Sequence, residues 1–170
     1  MSLVPEERPS RPGARAIGDR AGYRRGERPP LACAAVLSLT EDVWHEMVGH
    51  AYAGLPDEAC GLLAGDPDSG AAVAFYPCRN AAASSRVYTV DPRDHLRADR
   101  DAEARGIEII GVMHSHTHTE AYPSPTDVAQ APDPAWHYVI VSLKRDAAVL
   151  RSYRIVDGAA TEEAVGLDER

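Results

Sequence analysis

The sequence predicts one α/β (α+β) domain in which a mixed β-sheet is flanked by helices. Three observations lead there. Short apolar runs bounded by glycine, proline or aspartate turns recur from residue 31 onward and read as strands. Two stretches with helical spacing interrupt them, one after Thr40 and one after Asp91, each with a capping residue in front. The length of 170 residues, 44% hydrophobic and 26% charged, suits a single ordinary core.

Residues 1–30 hold five prolines, four glycines and the lone aromatic Tyr23. Such a segment buries too little apolar surface to offset its ordering entropy, so the expectation is an Arg/Pro/Gly-rich disordered extension before a domain at 31–170. It lacks the apolar h-region of a secretory signal. Residues 34–39 read as a strand. Thr40 then caps a helix carrying Glu41 and Asp42 in its first turn and Val43, Trp44, Met47, Val48 and Ala51 on its apolar face; Gly54 and Pro56 end it. Residues 58–64 form a short strand closed by Gly65-Asp66-Pro67, and 71–78 and 86–90 are further strands. Asp91-Pro92 opens a second helix to about Arg105, with Leu96 on its inner face and Gly106 as its stop. The run Ile107, Ile109, Ile110, Gly111, Val112, Met113 is a buried strand. A loop and a short helix at 125–130 follow. Residues 136–143 and 149–156 are β-like, and the Asp157-Gly158 turn returns 160–165 as an edge strand.

Composition excludes several classes. Residues 1–30 carry seven arginines against four acids, which leaves the other 140 residues at −11 of a total charge of −8. An acidic body speaks against nucleic acid as a partner, since phosphate binding needs a basic face. No apolar stretch reaches the length of a membrane span, so no membrane association is expected. Three cysteines (Cys33, Cys60, Cys78) without a C-x-x-C pair argue against a disulfide framework or thiolate zinc site and suit a reducing cytoplasm. Nothing in the sequence addresses oligomeric state.

The chemistry gathers between residues 114 and 127. His114 and His116 sit two apart at the end of the buried strand, so both imidazoles face the same side. The turn Tyr122-Pro123-Ser124-Pro125 then brings Asp127 back at a helix start. Two neutral imidazoles and one carboxylate form a ligand set for zinc, and three protein ligands leave a fourth position open, as in catalytic sites. The expected metal ligands are His114, His116 and Asp127. Ser124-Pro125-Thr126-Asp127 also reads as an ordinary helix start, with a serine N-cap and aspartate at N3, so capping and chemistry compete for Ser124.

His114-x-His116, seven residues, Ser124, two residues and Asp127 resemble the signature of the JAMM metalloproteases of the JAB1/MPN/Mov34 family. Leu55-Pro56-Asp57-Glu58-Ala59-Cys60-Gly61-Leu62-Leu63-Ala64-Gly65 resembles the upstream segment of that family, and the likeness covers about residues 33–156. It implies a single JAB1/MPN-type domain, a zinc cofactor, Glu58 as general base, and Ser124 as the hydroxyl that stabilises a developing oxyanion. Within the family, Asp57–Gly61, Thr119–Ser124 and Arg151–Gly158 resemble bacterial members that act on small sulfur carriers. That likeness implies a hydrolase cutting the amide bond after the C-terminal Gly-Gly of a ubiquitin-like sulfur carrier protein and releasing cysteine, in cysteine biosynthesis. A broader isopeptidase or carrier-precursor-processing peptidase is the alternative on the same chemistry; a metal-free MPN scaffold is the alternative of another class.

Plainer roles stand beside these. Glu58 alone would be a surface carboxylate. His118 lies on the same alternation as the two histidines but is expected to be an exposed loop residue. Cys60 shares strand parity with Glu58 and reads first as a small core residue. Thr117 departs from the family, where many members have proline. His45, His50, His95 and His137 lack ligand spacing, and Trp44, Trp136, Tyr138 and Tyr153 read as packing. Tyr122, inside the ligand loop, is expected to line the channel for an extended tail.

Overall fold

The computed structural model describes residues 37–168, so the expectations for residues 1–30, for 34–36 and for Cys33 lie outside the described residues. The chain runs β1 (Leu37–Thr40), α1 (Glu41–Ala53), β2 (Cys60–Asp66), β3 (Ala71–Cys78), α2 (Pro92–Arg105), β4 (Glu108–His116), α3 (Pro125–Gln130), β5 (His137–Ser142), β6 (Val149–Val156), β7 (Ala159–Glu163) and β8 (Val165–Asp168). No described helix is long and apolar enough to cross a membrane.

The eight strands among the described residues join one mixed sheet in the order β7-β6-β5-β4-β2-β3-β1-β8. β4–β5, β1–β3 and β1–β8 pair in parallel and the rest antiparallel. β7 and β8 end opposite flanks of that order, yet only Ala164 separates them in the chain. One residue spans at most about 7 Å, so the sheet curls until its two flanks meet. The sequence expectation of a single returning strand at 160–165 is corrected here: the strand splits at Ala164, and its second half pairs with β1 instead. At the β6–β7 turn Asp157 and Gly158 both have positive φ (50° and 77°), as a tight hairpin with right-handed strands requires.

The curled sheet carries a helix on each face. Val43, Met47 and Ala51 of α1 pack on Leu63, Phe75, Met113, Val139 and Val141. On the other face Leu62, Val112, Tyr138 and Ile140 cluster with Ala98 of α2 and with Tyr153. Thr40 accepts the Val43 N–H at 3.2 Å, and Asp91 accepts from Arg93 and Asp94, so both helix starts follow the sequence reading. Leu96 does not: it is half exposed, and α2 buries Asp94, Ala98 and Ala102 instead. Small alanines let the helix approach the sheet, leaving a leucine at the rim.

Asp94 is the polar member of that buried face. Its carboxylate accepts from the Arg79 backbone N–H (2.9 Å) and guanidinium (3.0 Å) and from Arg97 (2.9 Å). These bonds, the Arg79 side chain first, hold its carboxyl below the usual range. A depressed carboxylate stabilises the fold above the unfolded value of about 3.9 and loses that contribution as pH falls through its folded value. Asp94→Ala is therefore expected to cost about 1–2 kcal/mol at pH 7. Denaturant melts should show the gap to the native sequence closing below about pH 4; a gap independent of pH would refute an ionised role.

Residues 86–90 form no strand. Asn80 and Val90 make an isolated bridge, and the rest of the segment is held by the Asn80 side chain. Its Oδ1 accepts from Ala82 and Thr89 (both 3.0 Å), and its Nδ2 donates to the carbonyls of Glu58 (2.9 Å) and Val87 (3.1 Å). One amide thus satisfies backbone groups that a strand partner would otherwise take.

Candidate metal centre and active site

β4 delivers the two histidines. Gly111 begins its pairing with β5 where a Cβ would collide with the His137 carbonyl, so only glycine admits the close parallel approach that continues through His114↔Ile140 and His116↔Ser142. His114 and His116 are both buried and face the α2 side. His116 Nδ1 lies 2.8 Å from the Glu120 carbonyl, which assigns that nitrogen its proton and leaves Nε2 as a bare lone pair. The Tyr88 ring stacks on His114 at 4.3 Å and 17°.

α3 delivers the carboxylate through its cap. Ser124 Oγ accepts the Asp127 N–H at 3.2 Å, and Asp127 Oδ2 accepts the Ser124 N–H at 2.6 Å, a complete capping box. The box fixes the aspartate rotamer, and the same Oδ2 lies 3.5 Å from His114 Nε2 and 3.6 Å from His116 Nε2. Burial alone would raise the Asp127 carboxyl; positive charge held at the two histidine Nε2 atoms, a proton in the metal-free state, more than reverses this and keeps it far below the usual range. The cap uses an oxygen lone pair of Ser124, so its hydroxyl proton remains available. Capping and chemistry therefore draw on different atoms of one side chain.

The two Nε2 atoms are 3.1 Å apart. Donors about 2.05 Å from a tetrahedral zinc would be about 3.3 Å from one another, and the three separations here of 3.1, 3.5 and 3.6 Å bracket that value. In the neutral rings, two lone pairs and an ionised oxygen pointing at one spot repel unless a proton or a metal cation lies between them. The donor set therefore fits a divalent ion, and among the described residues it is the group of three or more such side chains that could hold one.

Glu58 lies just ahead of β2 rather than within it, a small correction to the strand at 58–64. Ser115, on the opposite face of β4 from the histidines, holds this entry. Its Oγ accepts from Ala59 N (2.8 Å) and its own N–H donates to Ala59 O (2.9 Å). Glu58 N donates to Ser84 O at 2.9 Å, and Asn80 secures the Glu58 carbonyl. The side chain is buried, and desolvation pushes its carboxyl up to about 7, opposed by His116 and reinforced by Asp127. A carboxyl so poised exchanges protons readily near neutrality.

The remaining candidates sort cleanly. His118 is exposed and outside the three-residue group. Cys60 is fully buried beside His114 in the sheet register, its thiol turned to the Cys78 and Arg79 carbonyls, and burial pushes it up to about 12. It is a packing residue, inert as a ligand. Thr117 is buried and its hydroxyl donates to Ser85 O at 3.3 Å. Tyr122 is 61% exposed, edge-on to Tyr153, and lines an open apolar groove with Pro123, Pro125, Val128, Ala129 and Gly158. Sequence reasoning did not single out Tyr88, Thr119, Asn80 or Ser115. All four act through loop geometry or across strands, and no spacing rule signals them.

The profile of prokaryotic homologs of the JAB domain matches residues 40–156. The chain is 45% identical over 136 residues to the CysO-cysteine peptidase of Mycobacterium tuberculosis, covering 79% of this chain and 93% of that one. It is 37% identical over 111 residues to the Desampylase of Haloferax volcanii, covering 62% and 80%. Among solved structures it resembles protein DSY2949 from Desulfitobacterium hafniense, with a TM-score of 0.73 and 36% identity over 79% of this chain and 94% of that one.

Proposed function

The chain belongs to the family of prokaryotic homologs of the JAB domain, and from there we propose that it is a zinc-dependent peptidase of ubiquitin-like sulfur carriers. It cuts the amide bond after the carrier's C-terminal Gly-Gly and releases cysteine, a step of cysteine biosynthesis. The carrying observation is the convergence of His114, His116 and Asp127 on one point, with Glu58 in electrostatic contact. The choice of substrate is supported by 45% identity to a protein named CysO-cysteine peptidase. Two glycines ahead of the cut suit a groove through which only backbone passes.

His114, His116 and Asp127 would hold the ion, and three protein ligands would leave a position for water or substrate. Bound there, zinc supplies a Lewis acid that makes water acidic near neutral pH and polarises a carbonyl. Glu58 takes the proton from the attacking water and returns it to the departing amine. Ser124 donates its hydroxyl to the oxygen that gains charge, a contribution of about 2.7–4 kcal/mol for one such donor. Burial of the histidines excludes bulk water and strengthens each of these interactions. Free, buried Cys60 and Cys78 suit a reducing cytoplasm as the place of action.

The direct test incubates zinc-loaded protein with a carrier bearing cysteine beyond Gly-Gly and follows carrier mass and free cysteine. Loss of one cysteine residue with the carrier otherwise whole is expected; an intact adduct despite stoichiometric zinc would refute this substrate. The 37% identity to Desampylase, a relative of another name, favours a second reading as a broader JAMM isopeptidase or carrier-precursor peptidase. Adducts differing only beyond the Gly-Gly pair separate the two. A metal-free scaffold would need no convergent donors, whereas here three converge.

A further inference from the structure

His116 reaches the centre through a ring whose far nitrogen is already committed. Its Nδ1 faces the Glu120 carbonyl at 2.8 Å and the Thr119 hydroxyl at 2.9 Å. That turn has to hold still for the bond to dictate the tautomer. His114 has no such support: its Nδ1 is buried without a partner among the described residues. The tautomer of the pair is therefore enforced at His116 alone.

Two kinds of contact hold the turn. Outside, Lys144 and Arg145 reach the Glu120 carboxylate at 3.0 and 3.2 Å, but all three side chains are about half exposed or more, and such pairs contribute little. Inside, Ser142 of β5 is 1% exposed, and its hydroxyl donates to the Thr119 carbonyl at 2.6 Å. Ser142 is also the register partner of His116, and the next residue, Leu143, donates its N–H to the His116 carbonyl at 2.9 Å. The end of β5 thus grips both the histidine's own backbone and the turn that orients its ring.

We infer that Ser142 is a positioning residue of the metal centre: by anchoring the Thr119–Glu120 turn it keeps the His116 proton on Nδ1 and Nε2 free to bind the ion. The inference rests on the metal reading above and adds a residue to it. Groups orienting a ligating histidine change metal affinity by about 10–100-fold when removed.

Two readouts test it. Zinc affinity, measured by competition with a chromogenic chelator, is expected to fall about 10–100-fold in Ser142→Ala and to recover in Ser142→Thr, which keeps the hydroxyl. Long-range proton–nitrogen spectra of the metal-free protein, recorded at a pH high enough to keep the ring neutral, are expected to show His116 as the Nδ1–H tautomer in the native sequence and a mixture in Ser142→Ala. The exposed Lys144→Ala/Arg145→Ala pair should change zinc affinity less than about twofold. Unchanged affinity and tautomer in folded Ser142→Ala would overturn the inference, as would an equal loss in the Lys144/Arg145 variant. Ser142→Cys, of similar volume with a weaker donor, gives the same contrast if the alanine variant does not fold. A native protein that binds no zinc sinks the metal reading, while its tautomer spectra still decide the role of Ser142.

Discussion

Glu58→Gln is expected to retain stoichiometric zinc and lose about 10²–10⁴-fold in turnover on the carrier adduct. Glutamine keeps the shape and volume of glutamate in a buried position, so the Ala59–Ser115 and Asn80 contacts that hold the backbone persist. What disappears is the capacity to take up a proton and release it. Glu58 stands apart from the convergent three, so removing its charge should leave the ligand set complete. Metal analysis alongside single-turnover kinetics is the check. Zinc loss equal to that of a ligand variant would make Glu58 a ligand and the assignment wrong.

Asp127→Ala is expected to lose both metal and activity. It removes the single anionic donor, leaving two imidazoles, and it breaks the capping box that starts α3. Loss of a direct ligand should exceed the 10–100-fold typical of an orienting group, so no zinc should survive dialysis. Thermal melts offer a second measure. Zinc at about 1,000 times its dissociation constant stabilises the native protein by about 4.1 kcal/mol, and the shift should be absent in Asp127→Ala. A full zinc-dependent shift in that variant would remove Asp127 from the site.

Most of the architecture was legible in sequence because caps and turns announce themselves locally. Thr40, Asp91 and Ser124 each start a helix where their side chains can accept the free N–H groups, and Gly106 stops α2 in the left-handed conformation it alone adopts cheaply. The strand expected at 86–90 does not form, and the run Val87, Tyr88, Thr89, Val90 carries no trace of Asn80, whose amide replaces the missing partner. Leu96 was misplaced because hydrophobicity says nothing about which helix face has room, and the sheet at α2 accepts only alanine and a paired aspartate.

At the site the division follows from how far each interaction reaches along the chain. His114, His116, Ser124 and Asp127 lie within one 14-residue stretch, where strand alternation and a capping box bring the side chains together. The sequence by itself therefore determined which three side chains meet and their approximate geometry. Tertiary structure alone decided how proton affinities shift at the site and what supports it, because both depend on burial and on partners far away in the chain. Ser115 grips the entry to β2 from 56 positions away, Ser142 grips the Thr119 turn from 23, and Tyr88 covers His114 from another loop. Desolvation of Glu58 likewise exists only once the sheet has closed around it. Local spacing can align atoms, but only packing removes water from them.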